Sequence, residues 1–204
     1  MLQGRAQYVA RVDSQISPLN PRGNVLGAHA LPFGVEGSRL GETYKCCQTA
    51  ATATVVAIPT TTSRLTMWNG EPDDGKSYVI EGVHSIAVAG AVASAFTIVG
   101  MINRGRQTQP SQAQLVLRST NGALYLGRGS VHITTTNLAD AGWFPLHSSV
   151  VNVGTASAIG LGAYAEVRGG IILPPGGLFS ISVVTNSATI TQRGGIRWQE
   201  VQLP

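Results

Sequence analysis

An all-β chain, folded as a jelly-roll-type antiparallel β-sandwich with an extended N-terminal arm, is predicted by three features of the sequence. From about residue 48 short β-branched runs recur at roughly 8 to 15 residue spacing. Gly, Asn, Asp and Pro cut these runs apart, and no ten-residue stretch carries a capped apolar period of 3.6.

Residues 1–45 read as the arm. Pro18, Pro21, Pro32 and recurrent glycines interrupt every apolar run before it reaches strand length. Only AQYVARV, residues 6–12, alternates, putting Ala6, Tyr8, Ala10 and Val12 on one face, as a short edge or augmenting strand requires.

Residues 46–204 read as the sandwich domain. Its strands lie in TATVVAIPTTT, SRLTMWNG, KSYVIEGVHSIAV, AFTIVGMINR, AQLVLRST, SVHITTT, SSVVNVG, AYAEVRGGIIL, LFSISVV and GGIRWQEVQL. Asn69-Gly70, Asp74-Gly75 and Asn121-Gly122 mark reversals. At Pro174-Pro175-Gly176-Gly177 proline removes a donor and glycine supplies positive φ, so two strands meet at a rigid corner. NLADAGWF, residues 137–144, reads as a single helical turn capped by Asn137.

Alternation gives the core as Val55, Ile58, Leu65, Met67, Tyr78, Ile80, Ile86, Val88, Phe96, Ile98, Met101, Leu115, Leu117, Val131, Ile133, Val151, Val153, Ile171, Leu173, Phe179, Ile181, Val183 and Trp198. Residues 94–102 are apolar on both faces. In an antiparallel sandwich one face should meet water, so this strand predicts burial by a second subunit, and a homotrimer is expected.

Composition points the same way. Only 12% of the 204 residues are charged while 43% are apolar, so much of the surface is small, neutral and hydroxylated. The net charge of +4 comes from 12 arginines and 2 lysines, but the arginines are scattered and no nucleic-acid signature accompanies them, so no direct nucleic-acid partner is expected. The uncharged stretch 86–102 is short for a membrane span and lacks flanking belts, which leaves two buried strands as its reading. Adjacent Cys46 and Cys47 are awkward to bridge and read as free thiols, and the opening residues lack the apolar core of a secretory signal.

Chemistry is sparse. His132 alternates outward beside Thr134, His84 falls on an apolar side, and His29 and His147 lie in loops, with no metal-ligand spacing among them. Glu71, Asp73 and Asp74 crowd one turn, and Glu81, Glu166 and Glu200 stand singly on strands. No serine occupies G-x-S-x-G, and neither GRGS at 127–130 nor GLGAYAEVRGG precedes a helix as a phosphate cradle would. No enzyme, metal or cofactor is expected. Trp68 with Asn69, or Trp143 with Phe144, would be the aromatic platform if the chain bound sugar.

The closing stretch GGIILPPGGLFSISVVTNSATITQRGGIRWQEVQLP runs a strand into PPGG, returns through LFSISVV and ends on a Trp198-Gln199-Glu200 strand. In this texture the chain resembles the jelly-roll structural proteins of tailed-bacteriophage virions, and among them the capsid cement or decoration proteins. That resemblance implies a virion location on the capsid surface after assembly in the host cytoplasm, with the phage major capsid protein as partner. The function implied is mechanical bridging of capsomers, with Tyr8, Arg11, Pro18, Pro21, Arg22 and Phe33 as arm contacts to shell or subunit. The alternative is a trimeric receptor-binding or tail-tip module that recognises host carbohydrate.

Overall fold

The computed structural model describes residues 35–90, 94–103, 105–135, 142–151 and 162–203. Helix α1 (Val35–Leu40) precedes eleven strands: β1 (Thr43–Cys47), β2 (Thr52–Ala53), β3 (Leu65–Trp68), β4 (Ser77–Ala89), β5 (Ser94–Asn103), β6 (Arg118–Ser119), β7 (Ser130–Ile133), β8 (Phe144–Val151), β9 (Gly162–Leu173), β10 (Leu178–Thr185) and β11 (Thr191–Val201).

Two antiparallel sheets pack face to face, one ordered β6-β1-β11-β4-β9 with β2 also on β11, the other β7-β3-β10-β5-β8. Setting aside the two-residue β2 and β6 and the edge strand β7, the remaining eight strands are ordered first-eighth-third-sixth in one sheet and second-seventh-fourth-fifth in the other. That is the double Greek key of a jelly roll. Between the sheets lie Trp198, Tyr78, Ile80, Ile196, Leu173, Phe96, Ile98, Phe179, Leu65 and Met67, all nearly inaccessible. Their alternation along each strand carries the apolar face inward.

Two boundaries depart from the sequence reading. Residues 35–40, assigned to the arm, form α1, closed by Gly41 at φ 77° with Glu42 N donating to Gly37 O (2.8 Å) and Gly41 N to Ser38 O (3.2 Å). This paired bonding is a Schellman cap, which needs the left-handed glycine. The sheet then starts at Thr43, three residues before the expected domain start at residue 46, because Tyr44 and Cys46 face inward opposite Trp198 and Ile196. Of the expected turn at 137–144, residues 137–141 lie outside the described residues, and Phe144 opens β8.

The Pro/Gly corner is a tight turn in which Gly177 N donates to Pro174 O (3.0 Å), with Pro175 at the second position and Gly176 at φ 76° in the third. Proline's fixed φ and glycine's freedom match a type II turn. Buried Asn69 ties this corner to the β3–β4 turn. Its backbone exchanges bonds with Gly176 and Gly177, its Nδ2 donates to Lys76 O and Leu173 O, and its Oδ1 accepts from Glu71 N.

The core expectation holds for most positions, but Ile58 is 57% exposed, Ile86 is 40% exposed, and Val55 and Val88 are only half-buried and outside the core cluster. Ile58 sits in the link between β2 and β3, and Ile86 is on the outer face of β4, paired with Gly162 and Arg193. Val151 and Val153 are not among the described side chains.

A larger correction concerns β5. Phe96 and Ile98 face the core, but Val99 and Met101 on its other face are also buried, at 4% and 0% exposure, within this one chain. Across that outer face run Met101, Ser180, Thr66 and His132 in register. Thr66 Oγ1 and Ser180 Oγ lie 3.0 Å apart, and Ser63 Oγ also pairs with Thr66. At Val99 and Met101 the outer face of β5 is therefore covered by its own chain, while Ala95 near its start is exposed.

Both cysteines are free thiols, Cys46 buried and Cys47 exposed. Burial pushes the Cys46 thiol up to about 12 and raises Cys47 too, the latter offset in part by Arg193. Only the thiolate is nucleophilic. Ellman titration at pH 8 is expected to find one slowly reacting thiol in the native protein and a second only in denaturant.

Strand β9 pairs only with β4, and β8 only with β5, among the described residues. Their free edges lie on one flank. Strand β9 is interrupted where Arg168 (φ 47°) and Gly169 (φ 78°) adopt left-handed conformations, so that residues 167–170 bulge opposite Glu81. At the same level Glu81, 8% exposed in its side chain, turns to Arg197 at 2.5 Å, and the Tyr164 ring lies against Gly82, where a Cβ would collide with it.

Candidate interaction surface

The opposite flank is closed by a strap, residues 113–128, that crosses from one sheet to the other. Ile133 N donates to Ala113 O (3.0 Å) and Leu115 N to Val131 O (2.8 Å), extending the five-stranded sheet past β7. Three residues later Arg118 and Ser119 pair with Lys45 and Tyr44, joining the six-stranded sheet. The chain then reverses at Asn121-Gly122, as its turn chemistry predicts. Gly122 has φ 89°, its N–H donates to Ser119 O (3.1 Å), and Asn121 Oδ1 accepts from Ala123 N (3.0 Å). The return leg bridges Arg118 through Leu124.

Alternation along both legs sorts the side chains. Leu115, Leu117 and Tyr125 turn inward and pack on the core. Val116, Leu124 and Leu126 turn outward, at 70%, 69% and 88% exposure. Stepping two residues from the Arg118–Leu124 bridge brings Val116 and Leu126 to the same side of the hairpin. Between the legs lies an open groove of about 340 Å³, lined chiefly by Leu115, Val116, Leu117, Leu124, Tyr125 and Arg118. Arg118 and Arg128 are exposed, and residues 113–128 contain no carboxylate.

What holds the hairpin in place is Tyr125. Its ring meets Tyr44 edge-on (4.8 Å, 87°) and Trp198 (6.1 Å, 72°). Its hydroxyl donates to Glu200 Oε1 (2.7 Å), accepts from Gly129 N (2.8 Å) and lies 3.3 Å from Tyr78 Oη. Glu200 is 2% exposed. Burial raises its carboxyl above the usual range, against the Tyr125 bond and the charge of Lys76, which lower it. Burial next to Glu200 raises the Tyr125 hydroxyl as well, so it stays protonated and donates.

The sequence-predicted chemical residues are placed as follows. His132 does face away from the core, but it is fully buried rather than outward in water. Its Nδ1 is 2.8 Å from Gln112 O, a carbonyl that only accepts, so Nδ1 carries the proton and Nε2 accepts from Ser130 Oγ at 2.7 Å. Ser130 in turn accepts from Gln109 Nε2 (3.3 Å). The bonds from Gln109 and Gln112 fasten residues 109–112 onto β7. His84 is half-buried, its imidazole lying over Gly195, and burial lowers its pKa.

Glu81 and Glu200 lie on opposite faces of one sheet, and Glu166 is spent on exposed Arg168 at 2.7 Å. Asp73 of the acidic turn pairs with Arg106. Among the described residues no three His, Cys, Asp or Glu side chains are grouped to hold a metal. The Trp68–Asn69 platform is taken apart by the fold: Trp68 Nε1 donates to Gln107 O (3.0 Å), and Asn69 is buried with its amide fully engaged. Phe144 packs on the core. Tyr8, Arg11, Pro18, Pro21, Arg22 and Phe33 all lie outside the described residues.

The fold and this surface define a double-sheet β-sandwich that presents an aliphatic hairpin on one flank. Neither the protein-family models nor the curated proteins contain a match to this chain.

Proposed function

We propose that this protein is a non-enzymatic structural protein of a tailed-phage virion, a cement or decoration protein that binds the outer shell and bridges capsomers as a homotrimer. The observation that supports this reading is the strap: three aliphatic side chains held outward by a buried aromatic anchor form a surface suited to burial against other protein. The low charge of the chain and the paired, buried hydroxyls of Ser63, Thr66 and Ser180 agree with a rigid, passive fastener. The major capsid protein is the partner in this reading, and the arm residues Tyr8, Arg11, Pro18, Pro21, Arg22 and Phe33 extend its reach.

Capsomer bridging gains from multivalency, since several weak contacts on one particle act together. The test is co-sedimentation with expanded shells of the phage that encodes the chain. Wild-type protein is expected to saturate the shells at a stoichiometry of copies per capsomer, and removal of residues 1–34 to weaken binding while leaving a folded sandwich. A protein that stays in the supernatant, or that attaches at only a few copies per virion, overturns the reading.

A further inference from the structure

The strap has a chemistry specific enough to name what lies on it. Isolated exposed leucines are common on soluble proteins. Here three aliphatics share one face of one hairpin, while their inward neighbours Leu115, Leu117 and Tyr125 lock the backbone that presents them. The face is preorganised, so a partner would not have to bear the cost of ordering it.

Charge narrows the partner. The strap carries Arg118 and Arg128, and between Glu81 and Asp140 the chain has no acidic residue at all. A second strap laid face to face would bring four guanidinium groups together with no carboxylate among them. A guanidinium is instead matched by a carboxylate, which it grips with two parallel bonds. The groove of about 340 Å³, whose lining includes Val116, Leu124 and Arg118 but not Leu126 or Arg128, adds shape: it can take side chains from a strand-like segment, which a flat lipid surface does not supply.

We propose that the strap is the docking site for an extended segment of another protein that alternates aliphatic and acidic residues. Its aliphatic side chains rest on Val116, Leu124 and Leu126, and its carboxylates pair with Arg118 and Arg128. This rests on the reading that the protein works by binding other protein, and it moves the principal contact from the arm to the strap.

The test uses the full chain and two labelled synthetic heptapeptides, one alternating valine or leucine with glutamate or aspartate, the other with lysine in place of each acid. Fluorescence anisotropy is expected to show at least about tenfold tighter binding of the acidic peptide, the size of effect one hot-spot contact carries. Leu126→Asp is expected to abolish that binding, and Arg118→Glu with Arg128→Glu to reverse the preference toward lysine. Because these side chains are exposed, the thermal midpoints of the variants should match wild type. Equal affinity for both peptides overturns the proposal. So does preferential capture of vesicles containing phosphatidylglycerol, or a concentration-dependent self-association that Leu126→Asp removes. Shell binding without peptide binding ends this inference and leaves the decoration reading standing; peptide binding without shell binding does the reverse.

Discussion

Trp198→Ala is expected to destabilise the protein by about 3–5 kcal/mol, the range for truncating a fully buried indole. Trp198 has no accessible surface, sits opposite Ile80 on one side and Tyr44 on the other, and stacks at 5.8 Å on Tyr44. Its loss opens a cavity where the six-stranded sheet supports the strap. For a domain of this size the thermal midpoint should fall by roughly 6–20 °C. Calorimetry checks this, and a fall of only a degree or two would show that the aromatic cluster does not hold the sandwich together.

Tyr125→Phe and Glu200→Gln are expected to act in opposite directions. Removing the tyrosine hydroxyl leaves the Glu200 carboxylate buried without the donor 2.7 Å away, and an orphaned buried group costs about 1–3 kcal/mol, more when it is charged. Glutamine keeps an oxygen for Tyr125 to donate to but carries no charge, so Glu200→Gln is expected to be neutral or stabilising at pH 7. The pH dependence follows from the raised carboxyl. Between the unfolded value, near the ordinary glutamate range, and the higher folded value, the native state holds a proton that the unfolded state has released. Its stabilising contribution is therefore complete below the unfolded value and is lost as pH rises through the folded one. Urea melts across pH 4–8 should show this decline in wild type and a flatter profile in Glu200→Gln. Identical profiles would mean that Glu200 titrates normally.

Much of the sandwich was legible because its signals are local. Period-two alternation located Leu65, Met67, Phe96, Ile98, Phe179, Ile181 and Val183, and glycine and proline chemistry located the turns at Asn121-Gly122 and Pro174-Pro175-Gly176-Gly177. Alternation assigns residues to two faces, but it does not say whether the outer face meets water. His132 alternates outward and residues 94–102 are apolar on both faces, yet His132 and Met101 are both buried in the outer layer of the same chain.

The strap was harder to read. AQLVLRST and NGALYLGRG contain the alternating aliphatics, but which parity faces outward depends on Tyr125 finding Glu200, 75 residues away in sequence. The absence of any acid between Glu81 and Asp140 was the available signal, because it marks a one-signed surface before any fold is known. Helix α1 was hidden by its brevity, its six residues holding a glycine and only a single turn of apolar spacing.

The left-handed pair at Arg168 and Gly169 breaks the border of the six-stranded sheet. A border strand of twelve residues whose outer edge pairs with no other strand among the described residues is where the sheets of separate molecules would otherwise fuse into a fibre. The kink divides that border into regular runs of five and three residues, 162–166 and 171–173, each too short to zip against a neighbour. Straightening it would leave one continuous border of twelve residues, the geometry in which the sheets of separate molecules extend one another without limit.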